Sequence, residues 1–254
     1  IHCAASSSNS IFNKVWSPKL KEAINFNATI ELAKQASENG VKRFIFISSS
    51  KVFGEKTCAN VPITSKFGYN PQTNYAKSKM RAELGLYDVA KKTGLEVIII
   101  QPPAVYGPGV KNNLTLLMFL MSFGLPIQNF FCKAKRSIIS IKNLTDFIFK
   151  CCEKGIKKNV NFIISDGNDV TIEDIFKNVF CKEILNHKTQ GIRKKIINKI
   201  IFNFFKLPIL SFKNFQLDIQ HTRAVLDWRP KFSQKKSLRE FYKYVRRQKL
   251  QSQL

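Results

Sequence analysis

Acidic residues are scarce in this chain. Seventeen Asp and Glu stand against 42 Lys and Arg over 254 residues, a formal net charge of +25. Such a balance admits an anionic partner, whether nucleic acid or membrane surface. The cations form no single block, however; they are scattered, with denser clusters at 188–199, 229–236 and 243–249. Scattered lysines read as solvated faces, so no nucleic-acid partner is expected, and some cations are left to serve a phosphate-bearing ligand. Metal-binding patterns are absent too. No C-x-x-C spacing joins Cys3, Cys58, Cys132, Cys151, Cys152 and Cys181, and His2, His187 and His221 do not cluster with them. The expectation is no metal site and free thiols in a reducing cytoplasm. No apolar run reaches the roughly 18 residues needed to cross a bilayer. Hydrophobic residues nevertheless make up 44% of the chain, which excludes a disordered composition.

What is present alternates. Residues 43–49 (RFIFISS) and 95–101 (LEVIIIQ) are short, apolar and β-branched, as buried parallel strands are. Each follows a helical pattern ending in glycine. The pattern 19–38 stops at Asn39-Gly40, and a second, 71–92, stops at Thr93-Gly94. The second is predicted to open with Asn70 as its cap and Pro71 at its first position. This β-α-β-α order predicts an α/β fold with a doubly wound parallel sheet. After PPAVYGPG at 102–109 the texture becomes less regular, with helices expected near 114–123 and 144–152 and a strand at 161–165. Asp166-Gly167 reads as a turn, and Thr171-Ile172-Glu173-Asp174 as a capping box opening another helix. Residues 1–106 are therefore expected to form one domain. Residues 107–254 mainly form a smaller C-terminal lobe, with some elements packing back on the first. The basic, apolar stretch 192–215 is read as a domain helix broken at Pro208, with peripheral contact to anionic lipid as the lesser alternative.

Chemistry concentrates on Tyr75 and Lys79, four residues apart on one helix face. A nearby ammonium stabilises phenolate and lowers the tyrosine pKa towards the range of a general base or acid. The spacing alone is weak, because Tyr87 and Lys91 repeat it further along the helix. The choice comes from upstream, where strand 43–49 delivers Ser48 and Ser49 to its carboxyl end. That end is where α/β sheets place ligand-contacting groups.

The ordered segments HCAA at 2–5, N-x-x-A-T at 25–29, GVKRFIFISSSKVFG, NYAKSK, PPAVYGPG and DIQHTRAVLDWRP resemble the NAD-dependent epimerase/dehydratase family. This is a branch of the extended short-chain dehydrogenases/reductases, and within it the pattern is similar to UDP-glucose 4-epimerases. The resemblance implies a Rossmann-like domain with a substrate-binding lobe, and Ser49, Tyr75 and Lys79 as the catalytic set. It implies that Ala4, Ala5, Asn25, Ser48, Pro102 and Pro103, with Tyr75 and Lys79, line a NAD site, NADP being the alternative. Asn113 and Arg136, with Ser49, fall where the family contacts the nucleotide-diphosphate sugar; a guanidinium suits a diphosphate. A homodimer through the helices 19–38 and 71–92 is implied as well.

Three residues depart from the family pattern: Gln101 where arginine is usual, Asn143 where aspartate is usual, and Asp227 in place of a glycine. The chain begins at Ile1 and contains no G-x-G-x-x-G or G-x-x-G-x-x-G. The resemblance therefore predicts that the first strands and the glycine-rich turn lie upstream, on the order of 60 residues. Ser50 and Lys51 follow Ser49, so the acidic pair expected of a 4,6-dehydratase is lacking there. UDP-sugar 4-epimerisation is the leading expectation, with reduction of a UDP-4-keto-6-deoxy-hexosamine next. A non-catalytic RNA-binding relative or an inactive gene fragment is the alternative of another class.

Overall fold

The structure, a computed structural model, describes residues 1–6, 17–58, 60–122, 133–153, 159–179 and 213–251. All but the last three residues of the stretch 192–215 lie outside them. Three parallel strands, β1 (Arg43–Ile47), β2 (Glu96–Gln101) and β5 (Val160–Ile163), form the central sheet in the order β1-β2-β5. The isoleucine-rich β2 lies in the middle, and its register pairs Ile98 with both Ile45 and Val160.

Alternation along the strands divides the core in two. Ile45, Ile98 and Ile100 face α5 (Ile141–Cys152), meeting Leu144, Phe147 and the indole of Trp228. Phe44, Phe46, Val97 and Ile99 face the opposite way, against Ala33 of α2 (Ala28–Glu38) and Ala82, Leu86 and Val89 of α3 (Asn74–Thr93). Helices thus cover both faces of a parallel sheet, and the expected doubly wound, Rossmann-like α/β fold is the one the chain forms.

The first predicted helix is a continuous run of three parts. Ser17 caps α1 (Pro18–Glu22), a π-helical segment follows over Ala23–Asn27, and α2 completes the run. Gly94, at φ 75°, ends α3, its N–H donating to Ala90 O at 2.9 Å. The start of α3 corrects the sequence reading: the cap is Thr73, whose hydroxyl accepts from Ala76 N, and not Asn70. Asn70 N donates instead to Val52 O at 2.8 Å, tying this stretch to the turn Ser50–Phe53 and delaying the helix. In the N-terminal segment 1–6, His2 pairs with β1, donating to Ile45 O and accepting from Ile47 N.

In the second half, β3 (Ala104–Tyr106) pairs in parallel with β4 (Ile138–Ser140). Leu117 and Met118 of α4 (Asn113–Ser122), Ile175 of α6 (Ile172–Val179), and Leu238 and Phe241 of α8 (Gln234–Gln251) close a separate core beside this pair. The capping box is present: Thr171 N donates to Asp174 Oδ2 and Asp174 N to Thr171 Oγ1. Asp227, after α7 (Gln220–Leu226), adopts φ 45°, the left-handed conformation a glycine would take there.

A buried carboxylate fastens these parts. Asp166 accepts from Ser140 N and Asn143 Nδ2 at one oxygen and from Tyr106 OH at the other. Asn143 also bonds Phe232 O and N. Its amide can donate where a second carboxylate would repel Asp166, which accounts for asparagine at this position. Among the described glycines, close packing is strictest at Gly107, with φ 144°, where an added Cβ would lie 2.5 Å from Ile141 Cγ2. Gly107→Ala is expected to lower the unfolding free energy by about 2–3 kcal/mol, measurable by urea denaturation.

Candidate active site

Crossing from β1 into the turn Ser50–Phe53, the chain is held by two backbone bonds to the neighbouring strand's exit, Ser48 N to Ile100 O and Ser50 N to Pro102 O. Ser49 stands between them in an extended conformation, φ −158°. Its Oγ accepts from Lys51 N at 3.3 Å, and its hydroxyl stands near enough to the Tyr75 phenol to favour the phenolate. Tyr75 lies in the first turn of α3. Two residues widely separated in sequence thereby meet at the carboxyl end of the sheet.

Lys79 lies one turn deeper, only 1% exposed. Its ammonium donates to Ile47 O at 2.8 Å and rests 4.3 Å from the Phe46 ring centroid. Burial lowers its pKa to about 8, opposed by the charges of Glu83 and Cys3. Tyr75 departs from the sequence expectation. Burial pushes the phenol up to about 12, and the bond from Ser49 opposes that rise. The physical reason is that Lys79 is turned to Ile47 O and Phe46, beneath the helix, so burial outweighs the ammonium.

Asn25, in the π-helical segment, is buried and bridges two elements. Its amide donates to Ser6 O and to Ser78 Oγ, its carbonyl accepts from Ser6 N, and Ser78 in turn donates to Tyr75 O. The extended segment carrying Ala4 and Ala5, both exposed, is thus anchored beside the Tyr75 turn. Pro102 and Pro103 are buried immediately past β2. The Ser48 hydroxyl is directed inward, donating to Glu83. Asn113 is exposed at the first residue of α4, while Asn112 caps that helix by accepting from Leu114 N and Thr115 N. Arg136 lies across the Phe215 ring at 5.6 Å and bonds the Val170 backbone. Burial lowers its pKa and the charge of Glu55 opposes that.

The sequence reading missed Glu83. This carboxylate is 0% exposed and accepts from Ser48 Oγ, from Tyr69 OH at 2.7 Å and from Gln101 Nε2 at 2.8 Å. Its signal was available: a charged residue on the same α3 face as Ala76, Lys79 and Leu86, all of them buried.

A parallel sheet with a serine, tyrosine and lysine at its carboxyl end defines a Rossmann-like protein of the dehydrogenase/reductase type. Comparison with known proteins narrows the class. The NAD dependent epimerase/dehydratase family profile matches residues 1–161. The UDP-glucose 4-epimerase of Vibrio cholerae is 37% identical over 235 residues, covering 91% of this chain and 71% of that protein. Among solved structures, the Thermotoga maritima UDP-glucose 4-epimerase with UDP-glucose superposes with TM-score 0.72 at 22% identity, over 97% of this chain and 76% of that one. Bordetella bronchiseptica WbmG in complex with NAD gives TM-score 0.72 at 19% identity, over 97% and 71%. The chain belongs to the NAD-dependent epimerase/dehydratase family, whose members are nucleotide-sugar enzymes.

The Lys79 environment has a measurable consequence. Between pH 8 and its ordinary value of 10.5, the unfolded chain holds a proton that the folded chain has released. Folding stability contributed by this group therefore rises with pH across that window. Urea midpoints of the wild type are expected to rise relative to those of Lys79→Met from pH 8 to 10.5.

Proposed function

We propose that the protein interconverts epimers at carbon 4 of a UDP-sugar, with NAD as its resident cofactor. One observation carries this: the Tyr75 hydroxyl, near Ser49, lies in the first turn of α3 at the sheet's carboxyl end, one turn above a buried ammonium. The 37% identity to a UDP-glucose 4-epimerase over most of this chain supports the choice of reaction and of UDP-sugar. In this reading Ser49 aligns the sugar hydroxyl and Tyr75 takes its proton during oxidation, returning it on reduction. Lys79 contributes positive charge that favours the phenolate.

The residues fit a nicotinamide dinucleotide. An ammonium carries three protons, and Ile47 O takes one of those on Lys79, leaving donors for a ribose diol. Ala4, Ala5, Asn25, Pro102 and Pro103 frame the same end of the sheet, and Ser48 contributes there through its backbone, since its hydroxyl belongs to Glu83. An oxidised dinucleotide held there would supply the hydride acceptor for carbon 4, and once reduced the hydride donor, while Tyr75 carries the proton. Asn113 and Arg136 are assigned to the nucleotide diphosphate. The division into a cofactor domain, 1–106, and a mainly substrate-binding lobe, 107–254, belongs to this proposal. So does a homodimer docked through α2 and α3, on whose outer faces Leu32 and Leu84 are exposed. No helix among the described residues is long and apolar enough to cross a membrane; the proposed setting is the cytoplasm.

The test uses purified protein, expressed with any reading frame continuous upstream of Ile1, given NAD and UDP-galactose. UDP-glucose is expected to form without net NADH. Tyr75→Phe is expected to lower kcat by about 10²–10⁴-fold with an unchanged circular-dichroism spectrum. Oxidation of NADPH that requires a 4-keto sugar, with no epimer formed, would replace this reading by a reductase.

A further inference from the structure

A carboxylate sealed from water is costly unless it is paired and hydrogen-bonded. Glu83 meets that condition, and the way it does so ties together the parts of the site. Its Oε2 accepts both Tyr69 OH and Gln101 Nε2, and its Oε1 accepts Ser48 Oγ. The Gln101 amide is oriented from behind, since Asn161 Nδ2 donates to its Oε1 at 3.4 Å. Its NH₂ therefore faces the carboxylate. Ser48 marks the exit of β1, Gln101 the end of β2, and Tyr69 the loop leading to α3, where it also stacks on Phe53.

The charges around this point are few. From α3 itself, Lys79 lies one turn before Glu83 and Tyr87 one turn after. From the loop comes Tyr69, whose phenol is raised well above its ordinary range by burial and then by Glu83. From β1 and β2 come Ser48 and Gln101, neither of which ionises near neutral pH. Lys79 in turn faces His2 and Cys3 of the N-terminal segment. Burial raises Glu83 to about 7, while its three hydrogen bonds and Lys79 pull it back. Two buried groups, one acidic and one basic, thus share one helix face at i and i+4, each favouring the charged form of the other.

We propose that Glu83 is a positioning residue: sealed between α3 and the sheet, it keeps the Lys79 ammonium charged and binds both strand ends to the helix that carries Tyr75. It acts through Lys79 and touches no substrate. The inference rests on the reading that Lys79 serves Tyr75, but its test does not require turnover. Lysine labelled with ¹³C at Cε reports ionisation by its chemical shift, and the Lys79 signal is assigned by its loss in Lys79→Met. In Glu83→Gln, the Lys79 titration midpoint is expected to fall by about one pH unit or more. Tyr69→Phe removes one donor at the edge of the cluster. It is expected to move the midpoint in the same direction by less, and it decides the matter if Glu83→Gln does not fold. Assayed on a UDP-sugar, Glu83→Gln should lower kcat at least tenfold, leave KM unchanged and shift the alkaline limb of the pH profile to lower pH. An unmoved Lys79 midpoint in a folded Glu83→Gln or Tyr69→Phe protein overturns the proposal. A lowered midpoint in a protein whose wild type turns over no UDP-sugar sinks the proposed function and leaves the coupling standing.

Discussion

The constraint on which the site depends is the burial of the Lys79 ammonium beneath α3, against the end of β1. A cation in that position is tolerated only where the surroundings supply acceptors. Ile47 O supplies one directly, the Phe46 ring offers its electron-rich face, and Glu83 supplies negative charge. These contacts fix the rotation of α3 against the sheet, and with it the direction in which Tyr75 projects from the first turn. The aliphatic packing of Ala82 and Leu86 on Phe44, Val97 and Ile99 then holds that rotation. The polar site and the apolar core are thus two consequences of one helix docking.

Scarcity of acid in the sequence makes the placement of the buried carboxylates informative. Among the described residues the buried acids are Glu83 and Asp166, and each is a hub accepting three hydrogen bonds. One joins α3 to the strand ends, and the other joins Tyr106 of β3 to the end of β4 and the start of α5. Several of the remaining acids pair with lysine or arginine at the surface, as Glu55 does with Lys51 and Glu240 with Lys142. Exposed pairs of that kind contribute little to stability. Specificity of arrangement comes from the two interior hubs.

Much of this was legible in the sequence where a pattern extended over many residues. The run VIII at 97–100 read as a buried strand and forms the middle of the sheet, and Gly94 announced the end of α3. Ser49, Tyr75 and Lys79 were identified from ordered segments, and in the structure Ser49 follows the end of β1 while Tyr75 stands in the first turn of α3. Local signals misled where a tertiary contact overrode them. Asn70-Pro71 looks like a helix entrance, yet Asn70 N is drawn to Val52 O and Thr73 takes the cap. The tyrosine–lysine spacing implied a lowered phenol, whereas the rotation of Lys79 towards Ile47 O lets burial dominate. Glu83 was passed over because a glutamate among lysines reads as a solvated helix face, although its spacing puts it on the same face as Ala76, Lys79 and Leu86. Asp227 and Asn143 stood out as departures, and each fits its place, the first in a left-handed turn and the second as donor to Asp166.

The central claim is that Tyr75 and Ser49 act together on a single hydroxyl of a UDP-sugar. A crystal structure of the protein with NAD and UDP-glucose tests it most directly. The account predicts the carbon-4 hydroxyl within hydrogen-bond distance of both Tyr75 OH and Ser49 Oγ, with the diphosphate beside Arg136. A sugar that presents a different carbon to Tyr75, or binds away from the carboxyl ends of β1 and β2, would contradict it.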